Sequence, residues 1–178
     1  MAKSCHRCSL RGGCRQVVFG EGNPAATLML VGEGPGEQED LQGRPFVGPA
    51  GQLLDRILAA IGLTRREVYI ANIVKCRPPG NRIPLDAEME ACLPLLRSQI
   101  RLIKPRLIVC LGATATRGLL DRNLRITQVR GQWFQRDGIS YLPTYHPAAL
   151  LRDPSKKREV WEDFKAVRAA YLELERGA

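Results

Sequence analysis

No stretch of the chain approaches the roughly 20 consecutive apolar residues a helix needs to cross a bilayer, which excludes a membrane-spanning helix. The opening residues, MAKSCHRC, lack the apolar core of a secretory leader, so a cytoplasmic protein is expected. There is no GxxxxGK phosphate loop. The stretch GEGPGEQED lacks the third glycine of a dinucleotide fingerprint, because Glu37 stands where that glycine is required. Its acids (Glu33, Glu37, Glu39 and Asp40) would also repel a phosphate. What remains is close backbone approach through glycine amides with carboxylates beside them. Alternatively, it is a strand-to-helix turn whose acids favour a helix amino terminus. Internal repeats, low-complexity tracts and long linkers are also missing, and a single domain over residues 1–178 is expected.

Two things are plentiful. The formal charge of +9 suggests a polyanionic partner, although solvated lysines and arginines give the same count. The six cysteines need a role, because a cytosolic chain keeps them reduced as buried apolar groups or metal ligands. Cys5 and Cys8 form a CxxC whose two sulfurs can face one site, and Cys76 and Cys92 lie farther along. Four thiolates suit tetrahedral zinc or an iron–sulfur cluster. Zinc commonly uses two tight pairs, and the long spacer between Cys76 and Cys92 favours a [4Fe–4S] cluster. Cys110 lies in an apolar run and reads as core. Cys14, in a loop rich in glycine and arginine, could join the cluster, although a free surface thiol is the plainer reading.

Apolar, β-branched runs at 26–34, 67–76, 106–112 and 139–145 predict strands. Helical spacing predicts helices over 51–63, 85–105, 113–120 and 155–174, with Pro94 kinking or dividing the second. In the last helix, Val160, Phe164, Val167 and Tyr171 share one face. Strands alternating with helices imply an α/β fold, a three-layer α/β/α sandwich with parallel pairing. Sheets of this kind bind ligands beyond the carboxyl ends of their strands. GEGPGEQED, NIVKC and HPAALLR all fall at that rim.

The stretches CHRCSL, VVFGEG, GEGPGEQEDLQGRPFVGPAGQLLDRIL, NIVKCRPPGNR and HPAALLR together resemble the family 4 uracil-DNA glycosylases, the class that carries a [4Fe–4S] cluster. The resemblance implies a uracil-DNA glycosylase fold with a central four-stranded parallel sheet. It implies cluster ligands Cys5, Cys8, Cys76 and Cys92 in an amino-terminal cluster-binding segment, the cluster being structural. It implies a uracil pocket of Gly32, Glu33, Gly34, Phe46, Asn72 and His146, and a loop, HPAALLR, that enters the DNA. The expected substrate is uracil in double- or single-stranded DNA, handled by a monomer. The chain departs from the best-known members of the superfamily at Gly34, where those have a water-activating aspartate. Glu33 and Glu39 are the candidates to replace it. The segment RPPGNRIPLDAE lacks the histidine of a covalently trapping relative, so simple turnover is expected.

The residue types suit that chemistry. Uracil presents an acceptor at O4 and a donor at N3, and one fixed amide can read both. Asn72 is the candidate, and a second contact locking its amide is expected; a turn cap is the plainer role. Phe46 can stack on the ring or simply fill the core. His146 can donate to O2 as negative charge develops on the leaving base. His6, the second of two histidines, sits between cluster cysteines and is incidental. Flipping a base costs a few kcal/mol, and burying a leucine returns about 1.5–3 kcal/mol. Leu150 or Leu151 can therefore fill the vacated stack while Arg152 holds a phosphate, unless the leucines fold onto the core. No lysine is placed to attack the sugar, so hydrolysis without strand cutting is expected. Two rival readings stay open: a non-catalytic DNA-binding protein with a structural metal, and an iron–sulfur electron carrier.

Overall fold

The computed structural model describes residues 2–178. Its strands are Glu21–Gly22 (β1), Leu28–Gly32 (β2), Tyr69–Asn72 (β3), Leu107–Leu111 (β4), Phe134–Arg136 (β5) and Ile139–Thr144 (β6). Its helices are Leu10–Gly13 (α1), Glu37–Gln42 (α2), Pro49–Ala60 (α3), Asp86–Ile103 (α4), Ala113–Leu119 (α5), Ile126–Val129 (α6), Pro147–Arg152 (α7) and Lys157–Arg176 (α8). The strands form one sheet in the order β1-β3-β2-β4-β6-β5. The four central strands are parallel, as the sequence predicts. β1 and β5 flank them in antiparallel pairing and are additions to the expected sheet. Strands of two and three residues carry too little periodicity to be read from sequence.

Alternation along the strands makes the three layers. Met29 and Val31 face one side with Ala71, Ile108 and Cys110, and pack under Leu93, Leu96 and Ile103 of α4. Leu28 and Leu30 face the other with Ile70, Val109 and Leu142. Leu53, Leu54 and Leu58 of α3 and Val160, Phe164 and Val167 of α8 cover that second face. Each such leucine or phenylalanine contributes about 1.5–3 kcal/mol of burial. Cys110 is fully buried in the first core. Tyr171, expected on the apolar face of α8, sits at its margin.

Two expectations are corrected. α4 runs unbroken through Pro94, which neither divides it nor ends it. Pro94 lies on the exposed side, while Leu93 and Leu96 hold the buried side. HPAALLR is a helix rather than a loop, because Pro147 occupies the first helical position, where its missing N–H costs nothing. The helical turn separates the two leucines. Leu150 is 2% exposed and packs into the second core, whereas Leu151 is 46% exposed. Leu150 is therefore a core residue and not a group free to enter DNA. Among the described residues no helix is long and apolar enough to cross a membrane.

The split between the leucines is measurable by urea denaturation. Leu150→Ala is expected to lower the unfolding free energy by about 2–5 kcal/mol. Leu151→Ala is expected to leave it within about 0.5 kcal/mol of the parent.

Candidate active site

β2 and β3 end side by side, with Gly32 paired to Asn72. Past the strand ends the ladder continues, Ile73 N donating to Gly32 O (2.9 Å) and Val74 N to Glu33 O (3.1 Å). A methyl group on Gly32 would stand 2.5 Å from Phe46 Cζ and 2.6 Å from Asn72 Oδ1. Glycine at 32 is thus what lets the ring and the amide meet over the strand end. On the other side the Phe46 ring stacks on His146, with centroids 5.4 Å apart and planes at 26°. Residues from the end of β3, the α2–α3 loop and the β6–α7 junction are brought to one rim. Gly34 lies next door, where an added methyl would meet Val74 Cγ2 at 2.7 Å.

Phe46 is held in a left-handed backbone conformation, φ 53°, which costs a side-chain-bearing residue about 1–2 kcal/mol. Arg65 offsets that cost from one side, donating to Phe46 O (2.8 Å) and Pro45 O (2.5 Å). Glu39 acts from the other, its Oε1 accepting from Val47 N and Gly48 N at 2.9 Å each. Its Oε2 accepts from Gly36 N (3.1 Å). The expectation that Glu39 positions a water is corrected here, because three main-chain amides already occupy its carboxylate and it shapes the loop instead. Glu33 is different: Oε2 accepts from the Thr114 hydroxyl, and among the described residues no hydrogen bond is made to Oε1. Sequence reading missed Arg65, which carries no local signal. It also missed Gly51, where a methyl would stand 1.9 Å from Phe46 O. A glycine early in α3, spent against helix propensity, was the available clue.

Asn72 is 2% exposed and its Oδ1 is buried with no hydrogen-bond partner. The expected contact locking the amide is not a hydrogen bond. Packing between Gly32 and the Phe46 ring restrains the side chain, and Lys75 Nζ donates to the main-chain oxygen of Asn72 (3.0 Å). A buried acceptor left open costs about 1–3 kcal/mol, and such atoms in native proteins call for an explanation.

His146 caps α7, its Nδ1 accepting from Ala148 N at 3.0 Å. That bond requires Nδ1 to be unprotonated, so the proton of the neutral ring is on Nε2. Burial pushes the pKa down to about 4, and the Arg152 charge pushes the same way, against a smaller opposing effect of Glu39. Leu151 and Arg152 are exposed at the far end of the same helix.

A second constellation lies behind this rim. Cys5, Cys8, Cys76 and Cys92 line one small cavity together with Arg7, Arg11 and Lys75. Lys75 N donates to Cys92 Sγ (3.3 Å). Cys76 and Cys92 have raised pKa values, first from burial; Cys14 and Cys92 press on Cys76 as well. Cys14 is therefore not the free surface thiol that the sequence suggests: it is half-buried against Cys76. Arg11 Nε is buried without a partner. An all-thiolate donor set with an unmatched guanidinium N–H and a main-chain N–H aimed at sulfur fits an anionic metal–sulfur group. Among the described residues no three potential ligands are gathered tightly enough for a single ion.

The fold and the rim together define a class. The family model described as the uracil DNA glycosylase superfamily matches residues 19–165. The chain is 46% identical over 174 residues to a type-4 uracil-DNA glycosylase of Sulfurisphaera tokodaii, covering 93% of this chain and 79% of that one. It is 44% identical over 177 residues to a type-4 uracil-DNA glycosylase of Saccharolobus solfataricus, covering 94% and 82%. A third, from Thermotoga maritima, is 46% identical over 173 residues, covering 94% and 89%. The chain belongs to the type-4 family of the uracil-DNA glycosylase superfamily.

The His146 environment fixes a pH dependence. Folding lowers its pKa from 6.5 to about 4, so between those values the unfolded chain takes up a proton that the folded chain refuses. This contribution makes stability fall as pH drops from about 6.5 to about 4, by roughly 3 kcal/mol at about 1.4 kcal/mol per pH unit. Nuclear magnetic resonance titration of the imidazole should place its midpoint below pH 5 and show a neutral ring, protonated on Nε2, across pH 5–8.

Proposed function

We propose that the protein is a monofunctional uracil-DNA glycosylase. It flips uracil from double- or single-stranded DNA and hydrolyses the N-glycosidic bond. Free uracil is released and an abasic site is left, the first step of base excision repair. The observation that carries the reading is the open Oδ1 of Asn72, buried beside the Phe46–His146 ring pair. Uracil supplies the missing donor: N3–H gives its hydrogen to Oδ1 while the amide NH₂ donates to O4. Cytosine presents the reverse pattern at those two positions. Phe46 stacks on the flipped ring, and the amides and open edges of Gly32, Glu33 and Gly34 frame it.

Water attacks the anomeric carbon, its oxygen forming the new C–O bond as the C–N bond breaks; the base departs with the bonding electrons, and the proton shed by the water passes through solvent to the uracil anion. The electron pair ends on uracil as an anion, which Nε2–H of His146 stabilises at O2. A neutral imidazole suits this task, since it donates without having to release a charge. Oε1 of Glu33 is the open carboxylate oxygen at the rim, and it orients the water and favours the cationic sugar. No lysine attacks the sugar, so the strand is left uncut. Leu151 fills the space the base vacates and Arg152 takes the neighbouring phosphate. Cys5, Cys8, Cys76 and Cys92 hold a structural [4Fe–4S] cluster, which supplies cross-linking of the amino-terminal segment to the body and no electron for the reaction. The protein acts as a cytoplasmic monomer.

Purified protein incubated with uracil-containing DNA and then alkali should give a cut at the uracil and nowhere else. A non-catalytic DNA-binding protein or an electron carrier gives none. Asn72→Asp, which replaces the NH₂ donor with an acceptor, should lower kcat/KM on uracil by about 10²-fold or more; an unchanged rate removes Asn72 from base reading. Leu151→Ala should slow duplex substrates about tenfold more than single strands, and equal effects on both would rule out the wedge.

A further inference from the structure

A second cavity opens at the end of the sheet opposite the rim just described. The carboxyl end of α4, the start of β4 and the β5–β6 turn enclose a cleft of about 710 Å³. Its walls carry Arg97, Arg101, Lys104, Arg106 and Arg136, against one acid, Asp137. None of these cations takes part in the ion pairs found elsewhere in the described residues. Arg136 is pre-positioned, with Nη1 donating to Leu119 O (2.9 Å) and Leu120 O (3.0 Å). Arg101 donates to Ser98 Oγ (3.1 Å) and to nothing else among the described residues. Beneath the charges the lining is apolar, formed by Ile100, Leu119, Ile139 and Tyr141.

Like charges gathered without partners repel one another. The proposed glycosylase chemistry uses none of them. We infer that this cleft docks an acidic peptide segment of a partner protein, whose carboxylates pair with the arginines while an apolar side chain sits on Ile100 and Leu119. Three observations favour a peptide over a second stretch of nucleic acid. The apolar floor offers burial that a phosphate backbone cannot use, whereas a peptide with one large apolar side chain can. The cleft has the volume of a small-ligand or side-chain pocket, roughly 300–1,000 Å³, rather than the breadth of a duplex. DNA engaged at the carboxyl rim lies about 16 Å away along a five-residue strand, beyond the roughly 8 Å over which charges act at physiological salt. Planar guanidinium groups, four of the five cations, match carboxylates as two-pronged donors.

The test is fluorescence anisotropy on the whole protein in about 0.15 M salt. The probe is a labelled ten-residue peptide of aspartates with one central phenylalanine. A copy with serine for phenylalanine and a ten-nucleotide oligothymidylate are run beside it. Expected results are saturable peptide binding, a loss of about tenfold or more in Arg97→Glu/Arg101→Glu/Arg106→Glu, and a loss of at least about fivefold in the serine peptide. These three side chains are exposed, and the neutral set Arg97→Gln/Arg101→Gln/Arg106→Gln guards against a charge-reversed variant that fails to fold. Uracil excision from single strands should be unchanged in either set. The inference is overturned by absent peptide binding, or by binding indifferent to the cleft variants, including binding that is instead lost in Arg152→Ala. Oligothymidylate held more tightly than the peptide and released by the same variants would overturn it in favour of nucleic acid.

Discussion

Lys75 is 1% exposed, and every polar atom it owns is spent on a different part of the molecule. Its ammonium donates to Asn72 O (3.0 Å) and Gln99 Oε1 (2.6 Å). Its main-chain N–H reaches Cys92 Sγ (3.3 Å), and its carbonyl accepts from Val18 N (2.7 Å). Gln99 in turn donates to Phe19 O (2.8 Å) and contacts Tyr69 Oη (3.2 Å). Burying an amine this deeply costs several kcal/mol, and burial draws its pKa down to about 7 against a smaller opposing effect of Cys92. What is obtained for that cost is mechanical. The end of β3, the middle of α4 and the amino-terminal segment share a single hub, so the thiol cavity and the Asn72 amide cannot drift independently.

The two ends of that hub carry the only buried side-chain polar atoms without partners among the described residues, Arg11 Nε and Asn72 Oδ1. Each points to a group of opposite character. The guanidinium N–H lacks an acceptor where thiolates converge, and the amide oxygen lacks a donor where two rings stack. Because a folded chain rarely leaves such atoms open, the pair marks two places where something other than protein completes the structure.

Much of this was legible in the sequence, for physical reasons that differ by feature. The central strands were readable because both faces are buried, so Leu28–Gly32 and Leu107–Leu111 are continuous apolar runs. The rim was readable because parallel topology sends all carboxyl ends the same way, which puts the segments around Gly32, Asn72 and His146 together. What was not legible depends on long-range contact. Glu39 looks like any acid of a polar loop until its carboxylate is found closed around Val47, Gly48 and Gly36. Arg65 lies far in sequence from the Phe46 carbonyl it steadies. Leu150 and Leu151 are identical neighbours, and only the helical turn set by Pro147 sends one inward and leaves the other at the surface. Cys14 is not legible because its surroundings in sequence are polar, while its neighbour in space is Cys76.

α7 has one further consequence. The helix is six residues long, about 9 Å at 1.5 Å per residue, too short to bend. Its first turn is fastened to the imidazole through the Ala148 N–H, its middle is anchored by Leu150, and its tip carries Leu151 and Arg152. The exposed tip and the ring that faces Phe46 are thus the two ends of one short, stiff piece, and neither can be repositioned without the other.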